Sequence, residues 1–103
     1  MAPGSTIDVH TRFQELALRW KEQSHYLSNT VQMAILEPYQ RIIGLGPVAV
    51  PWILEELRRE PDHWFWALEM ITGENPVPPA ERGDVSKMTV AWLNWGRDYG
   101  LIQ

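Results

Sequence analysis

The sequence predicts an all-α protein, a compact bundle of five or six short helices. Apolar residues recur with a period near 3.6 residues in successive segments, and Gly and Pro separate these segments. No segment alternates apolar and β-branched residues with polar ones, which is the pattern of a half-buried strand. The length of 103 residues suits one domain. We therefore expect a flexible N-terminal tail over residues 1–10 and a single helical domain over residues 11–103.

The first predicted helix begins at Thr11 and ends near residues 25–28. The Thr11 hydroxyl, with Gln14 three residues later, fits a capping box. Charged residues occupy the opposite face, so the helix is amphipathic. Its apolar stripe consists of Phe13, Leu16, Ala17 and Trp20.

Two short helices are predicted next. The Ser-Asn-Thr sequence at residues 28–30 offers a cap for a helix that carries Val31, Ala34 and Ile35 on its apolar face. Pro38 is tolerated in a first helical turn, which favours a second helix over residues 37–43. Gly44 is the expected end of that helix.

The second half of the chain contains three more segments. Residues 47–60 form a predicted helix bent by Pro51, and residues 62–72 form another, with Asp62 as its N-cap and Gly73 as its end. Residues 73–83 are proline-rich and are predicted to be a loop. Asp84 caps the last helix, and Gly100 followed by Leu101 fits a Schellman ending. The apolar seam of that helix comprises Val85, Met88, Trp92, Trp95 and Tyr99.

Residues 43–73 resemble a HEAT repeat. In that family a Leu-Gly turn precedes a first helix that contains Ala-Val-Pro, and an Asp-containing turn leads to a second helix. The sequence departs from the family at residues 64–66, Trp-Phe-Trp. No second copy occurs at a period of 30–50 residues, and the resemblance implies a hairpin that binds macromolecules on a helical face. The matching residues are Gly46, Ala49, Val50, Pro51, Leu54, Leu57, Asp62, Ala67, Leu68 and Ile71.

Charge and composition exclude several function classes. Nine basic residues stand against 13 acidic ones, for a net charge of −4, so electrostatics favours neither nucleic acid nor an anionic membrane as a partner. The absence of cysteine excludes disulfides, thiolate nucleophiles and cysteine-based zinc sites, and suggests a cytoplasmic protein. No signal peptide or membrane-spanning segment is predicted.

No catalytic, cofactor-binding or metal-binding residues are predicted. The histidines at positions 10, 25 and 63 fall in separate segments and lack a second ligand at helical spacing. Glu55 and Glu56 point about 100° apart on one helix and have arginines one turn later, which favours a solvated, ion-paired face. We therefore expect a protein without enzymatic activity and without a cofactor.

The tryptophans suggest where a partner binds. Of the six, Trp20, Trp64, Trp92 and Trp95 fit predicted core stripes, whereas Trp52 and Trp66 exceed what one stripe can bury. A large aromatic ring with charges around it is typical of an interface anchor. For both residues the core and the interface remain open alternatives. The predicted partner-binding surface comprises Trp52, Glu55, Arg59, Trp66 and Met70.

The function expected from these features is a non-enzymatic, protein-binding module. Small size and acidic charge suit a bacterial or mobile-element accessory subunit, an adaptor, or an inhibitor such as an antitoxin. One alternative is a structural subunit that homodimerises through Trp52 and Trp66. Another is a nucleic-acid-associated regulator, although Glu15 and Glu22 oppose it. Its binding face on the first helix would comprise Arg12, Arg19, Trp20 and Lys21.

Overall fold

The computed structural model describes residues 6–103 of the chain, with side chains from Asp8 onwards. Over this range the protein is helical and contains no strand, so the predicted all-α fold is confirmed. Two short 3-10 turns, Gly46–Ala49 and Pro79–Glu81, complete the secondary structure. The helices are α1 (Thr6–Ser24), α2 (Thr30–Ala34), α3 (Glu37–Leu45), α4 (Val50–Arg59), α5 (Phe65–Thr72) and α6 (Val85–Asp98).

The first helix begins earlier than its apolar stripe predicts. It starts at Thr6, so the expected start at Thr11 is wrong, and residues 6–10 belong to the helix. Residues 1–5 of the predicted tail lie outside the described residues. Asp8 places an acidic group in the first turn, where it complements the partial positive charge of a helix N-terminus. The predicted stripe began at Phe13 and left out Val9, one turn earlier and partly buried, so the start was placed too late.

Several predicted caps are confirmed. The Asn29 side chain accepts a hydrogen bond from the Gln32 backbone N–H at the start of α2. Asp84 does the same for the Lys87 N–H at the start of α6. These bonds satisfy backbone donors that have no partner within the helix.

The helix ends follow the glycines, with one correction. Gly73, at φ 72°, ends α5 as predicted. Helix α3 passes through Gly44 and ends at Leu45, and Gly46 is its C-cap, with a φ of 79° in the left-handed region that favours glycine. At the C-terminus the Leu101 N–H donates to the Gly96 carbonyl at 2.8 Å, which confirms the Schellman ending.

Pro51 does not bend a long helix. The predicted segment over residues 47–60 is divided into the 3-10 turn and α4, and Pro51 lies in the first turn of α4. A backbone N–H at that position has no acceptor within the helix, so proline removes no hydrogen bond there.

The core is centred on aromatic rings. Trp20 and Trp64 have ring centroids 4.5 Å apart, and Phe13 and Tyr39 also pack against Trp64. All four side chains are buried, as is Trp92. Helix α1 packs on α3, α3 on α5, and α4 on α6, whereas α4 contacts α5 less extensively than it contacts α6.

Helix α5 is capped from another helix. The predicted N-cap, Asp62, instead accepts a hydrogen bond from the adjacent His63 N–H, and α5 begins only at Phe65. The Tyr39 hydroxyl of α3 accepts a hydrogen bond from the Ala67 N–H at 2.9 Å and donates one to the His63 carbonyl at 3.0 Å. Burial raises the pKa of Tyr39 well above its ordinary value. The neutral hydroxyl thus acts as a long-range cap.

Replacing Tyr39 with phenylalanine is expected to lower the free energy of unfolding by about 1–3 kcal/mol, because a buried N–H and a carbonyl lose their partner. The folded-state pKa of Tyr39 lies above the unfolded value of about 10, so its contribution is complete below that pH and decreases as pH rises further. Urea unfolding of both proteins at several pH values measures this. The difference between them should shrink above pH about 10; a constant difference would contradict the proposed cap.

The buried face of α6 differs from the predicted seam. Tyr99 is 61% exposed, and Val85, Met88 and Trp95 are only partly buried. The buried positions are Thr89, Trp92, Leu93 and Gly96. A Cβ atom at Gly96 would lie 2.7 Å from Leu54 Cδ1, so the glycine permits close approach of α4. Packing against α4 therefore buries a face of α6 that differs from its most aromatic stripe.

Candidate protein-binding surface

Trp52 is partly buried and one of its faces is covered. Its ring stacks on His10 of α1, with centroids 4.4 Å apart and planes 12° apart. Phe13 also contacts it, at 5.8 Å between ring centroids. Residue 10 belongs to the segment predicted to be a flexible tail, so this contact was not predicted. Trp52 packs at the edge of the core.

Glu55 and Arg59 form ion pairs within α4. Arg58 pairs with Glu55, and Arg59 Nη2 lies 2.6 Å from Glu56 Oε1. The hydrogen bond with Glu56 raises the pKa of Arg59. The two charged residues of the predicted surface, Glu55 and Arg59, thus have ion-pair partners on their own helix.

Trp66 and Met70 are both open to solvent. Their exposed fractions are 51% and 59%, and they lie one turn apart on α5. The buried residues of the same helix are Phe65, Ala67 and Leu68. Of the two tryptophans left open between core and interface, Trp66 therefore has the exposure that an interface anchor requires.

Trp66 lines a groove of about 320 Å³ between α2, α5 and the beginning of α6. We call this the Trp66 groove. Its walls are mainly apolar, and His63 and Glu69 supply its titratable groups. The other residues that line it are Thr30, Val31, Ala34, Phe65, Gly83, Val85 and Met88.

The α2 side of the Trp66 groove includes Val31, which the sequence assigned to the buried face of that helix. Val31 and Ile35 were expected on the buried face of α2, but they are 57% and 66% exposed. Ala34 is buried as predicted, whereas Met33 is buried in place of the two exposed residues, and the Met33 carbonyl accepts a hydrogen bond from the Trp20 indole. A helix of five residues has too few turns for periodicity to define its buried face.

The alternative nucleic-acid face lacks its aromatic member. Trp20 is completely buried and its Nε1 donates to the Met33 carbonyl at 2.9 Å, so its expected stacking on bases is incompatible with the fold. Arg19 pairs with Glu37 at 3.2 Å. Arg12 lies in a separate shallow groove beside Glu15 and Arg19.

Lys21, the fourth residue of that face, also has acidic partners. Its Nζ lies 2.5 Å from Glu60 Oε1 and 3.9 Å from Glu56 Oε1. The hydrogen bond from Lys21 holds the pKa of Glu60 below its usual value. Arg19 and Lys21 of α1 therefore pair with acidic side chains of α3, of α4 and of Glu60 at the end of α4.

Within residues 6–103 no group of three His, Cys, Asp or Glu side chains is arranged to hold a metal ion. None of the helices described is long and apolar enough to cross a membrane.

Comparison with protein-family models, curated proteins and solved structures finds no match to this chain. The resemblance of residues 43–73 to a HEAT repeat therefore stays a prediction.

Proposed function

We propose that this protein is a non-enzymatic module that binds another protein through the Trp66 groove. The observation that carries the proposal is the half-exposed indole of Trp66 in an apolar groove, on a chain that buries three other tryptophans completely. Trp residues dominate the energetics of protein interfaces because they desolvate a large area at few rotatable bonds.

The surroundings of Trp66 support this role. Phe65 and Ala34 are buried and line the base of the groove, which holds its walls in place before a partner arrives. Val31 in the groove, and Met70 one turn from Trp66 on α5, add exposed apolar surface. We expect the occupant to be an apolar segment of another protein, such as one face of an amphipathic helix.

The proposed surface is narrower than the one predicted from the sequence. Trp66 and Met70 are retained, whereas Trp52 is covered by His10 and the charges of Glu55 and Arg59 are paired. A role as an accessory subunit, adaptor, or inhibitor such as an antitoxin, in the bacterial cytoplasm, rests on size and charge and remains part of the proposal.

The Trp66→Ala variant is expected to weaken capture of a protein partner at least about 30-fold, which corresponds to an interface hot spot of about 2 kcal/mol. A partner is first identified by affinity capture from the host with the wild-type chain and mass spectrometry. Isothermal titration with the purified partner then compares wild type and variant. Because Trp66 is half exposed, the melting temperature should change little.

Two further variants serve as controls. Leu18 is 62% exposed on α1 and does not line the groove, so Leu18→Ala should bind as wild type does. Trp52→Ala should reduce stability and leave binding intact. Equal affinity of wild type and Trp66→Ala would contradict the proposal, as would a partner lost only with Trp52→Ala. Analytical ultracentrifugation shows whether the captured partner is a second copy of the chain, which would instead support the structural, homo-oligomerising role.

A further inference from the structure

A second groove lies on the other side of α6, against the proline-rich loop of residues 73–83. It has a volume of about 590 Å³ and shares no lining residue with the Trp66 groove. Its apolar surface comes from Pro76, Pro78, Val90 and Trp95. Val90 is 58% exposed, and Trp95 is partly buried although the sequence assigned it to the core. We call this the proline-loop groove.

The loop wall of this groove is held in place by the fold. Val77 is 1% exposed and therefore anchors the loop in the core. Its N–H donates to Asn75 Oδ1 at 3.1 Å, and its carbonyl accepts a hydrogen bond from Arg82 Nε at 3.3 Å. Glu74 accepts a hydrogen bond from the Trp95 indole at 3.4 Å. A groove that is formed in advance loses little conformational entropy when it is occupied.

The proline-loop groove has unbalanced negative charge. Glu81 and Asp98 line it, and neither carboxylate has an ion-pair partner among the residues that the structure describes. Lys87 is the one basic side chain among its lining residues. Glu81 and Asp98 therefore remain available to pair with a cationic partner.

We propose that the proline-loop groove binds an extended segment of another protein that contains arginine and proline. Proline-rich segments adopt a preformed extended helix that packs on aromatic side chains, and Trp95 with Val90 offers such a surface. Arginine forms bidentate hydrogen bonds with carboxylates, which matches Glu81 and Asp98. A second copy of this chain fits less well because its net charge is −4.

The probe is a fluorescein-labelled peptide of four Arg-Pro repeats, followed by fluorescence anisotropy at low ionic strength. A Glu-Pro peptide of the same length is the charge-reversed control. We expect saturable binding of the Arg-Pro peptide and at least about tenfold weaker binding of the Glu-Pro peptide. Affinity for the Arg-Pro peptide should fall as salt is added, because the carboxylates lie at the surface.

Charge-matched variants locate the site. The double variant Glu81→Gln with Asp98→Asn should weaken binding at least about tenfold. The double variant Glu15→Gln with Glu22→Gln removes two exposed carboxylates of α1 and should change affinity less than about twofold. Val90→Lys introduces a cation at an exposed groove position and should also weaken binding. An equal loss in both double variants would show non-specific charge attraction and overturn the proposal.

Assigned ¹H-¹⁵N spectra distinguish the two grooves. The indole N–H signal of Trp95 should shift during the peptide titration, and that of Trp66 should stay in place. The Trp66→Ala variant should bind the peptide as wild type does, so failure of the proposed function and failure of this inference are separable. Absence of binding at about 1 mM peptide, or a shift at Trp66 alone, would refute the inference.

Discussion

Replacing Trp64 with alanine is expected to lower the free energy of unfolding by about 3–5 kcal/mol, the range for removal of a large aromatic side chain from a core. Trp64 has no exposed surface, and its ring packs against Phe13, Trp20 and Tyr39, which come from α1 and α3. The truncation therefore leaves a cavity between three helices and their connecting segments. Urea unfolding monitored by circular dichroism measures the loss.

The matched control for this prediction lies two positions along the chain. Trp66→Ala removes the same number of atoms from a side chain that is 51% exposed. We expect it to cost less than about 1 kcal/mol, because surface substitutions have small effects on stability. Similar losses for the two variants would contradict the orientation of α5 described above.

Leu54→Ala is expected to lower the free energy of unfolding by about 2–5 kcal/mol. Leu54 is completely buried on α4, and its Cδ1 atom faces the backbone of α6 at Gly96. Because these helices approach closely at a glycine, the surrounding structure has little freedom to fill the space. Denaturant unfolding of wild type and variant gives the difference.

A second substitution tests whether the contact between Leu54 and Gly96 causes this loss of stability. Gly96→Ala alone places a methyl group 2.7 Å from Leu54 Cδ1, so the core must shift. In the Leu54→Ala background the conflict with Leu54 Cδ1 is absent. Gly96→Ala should therefore lower the free energy of unfolding less there than in wild type. Leu18→Ala, at a position 62% exposed, is the control for leucine truncation and should cost little. Strict additivity of the Leu54 and Gly96 substitutions would refute the close approach of α4 and α6.

Local signals predicted a helix start or end correctly at several positions. Asn29, Asp84 and Gly73 act as expected, because each satisfies or ends a helix through its own neighbours in sequence. The Asp62 cap was wrong because a residue 23 positions earlier, Tyr39, reaches the start of α5 instead. A cap that comes from another helix cannot be predicted from the residues next to the helix start.

The candidate surface was predicted only in part. Trp66 and Met70 were identified because the neighbouring residues of α5 already fill one apolar stripe. Trp52 satisfied the same criterion, yet it is covered by His10, which belongs to a segment without an apolar pattern. Periodicity shows which residues share a face of one helix. It contains no information about which other segment packs on that face.

The amino-acid pattern alone determined the helical class, most of the helix ends, and the burial of Trp20, Trp64 and Trp92, because these depend on hydrogen bonds and periodicity within a few turns. Packing between helices decided the rest. It left Val31 of α2 exposed, and it buried the face of α6 at which Gly96 contacts Leu54. It also left Trp66 exposed and placed His10 on one face of Trp52. Short helices with apolar residues on several faces can bury any of them, and only the neighbouring helices determine which face is buried.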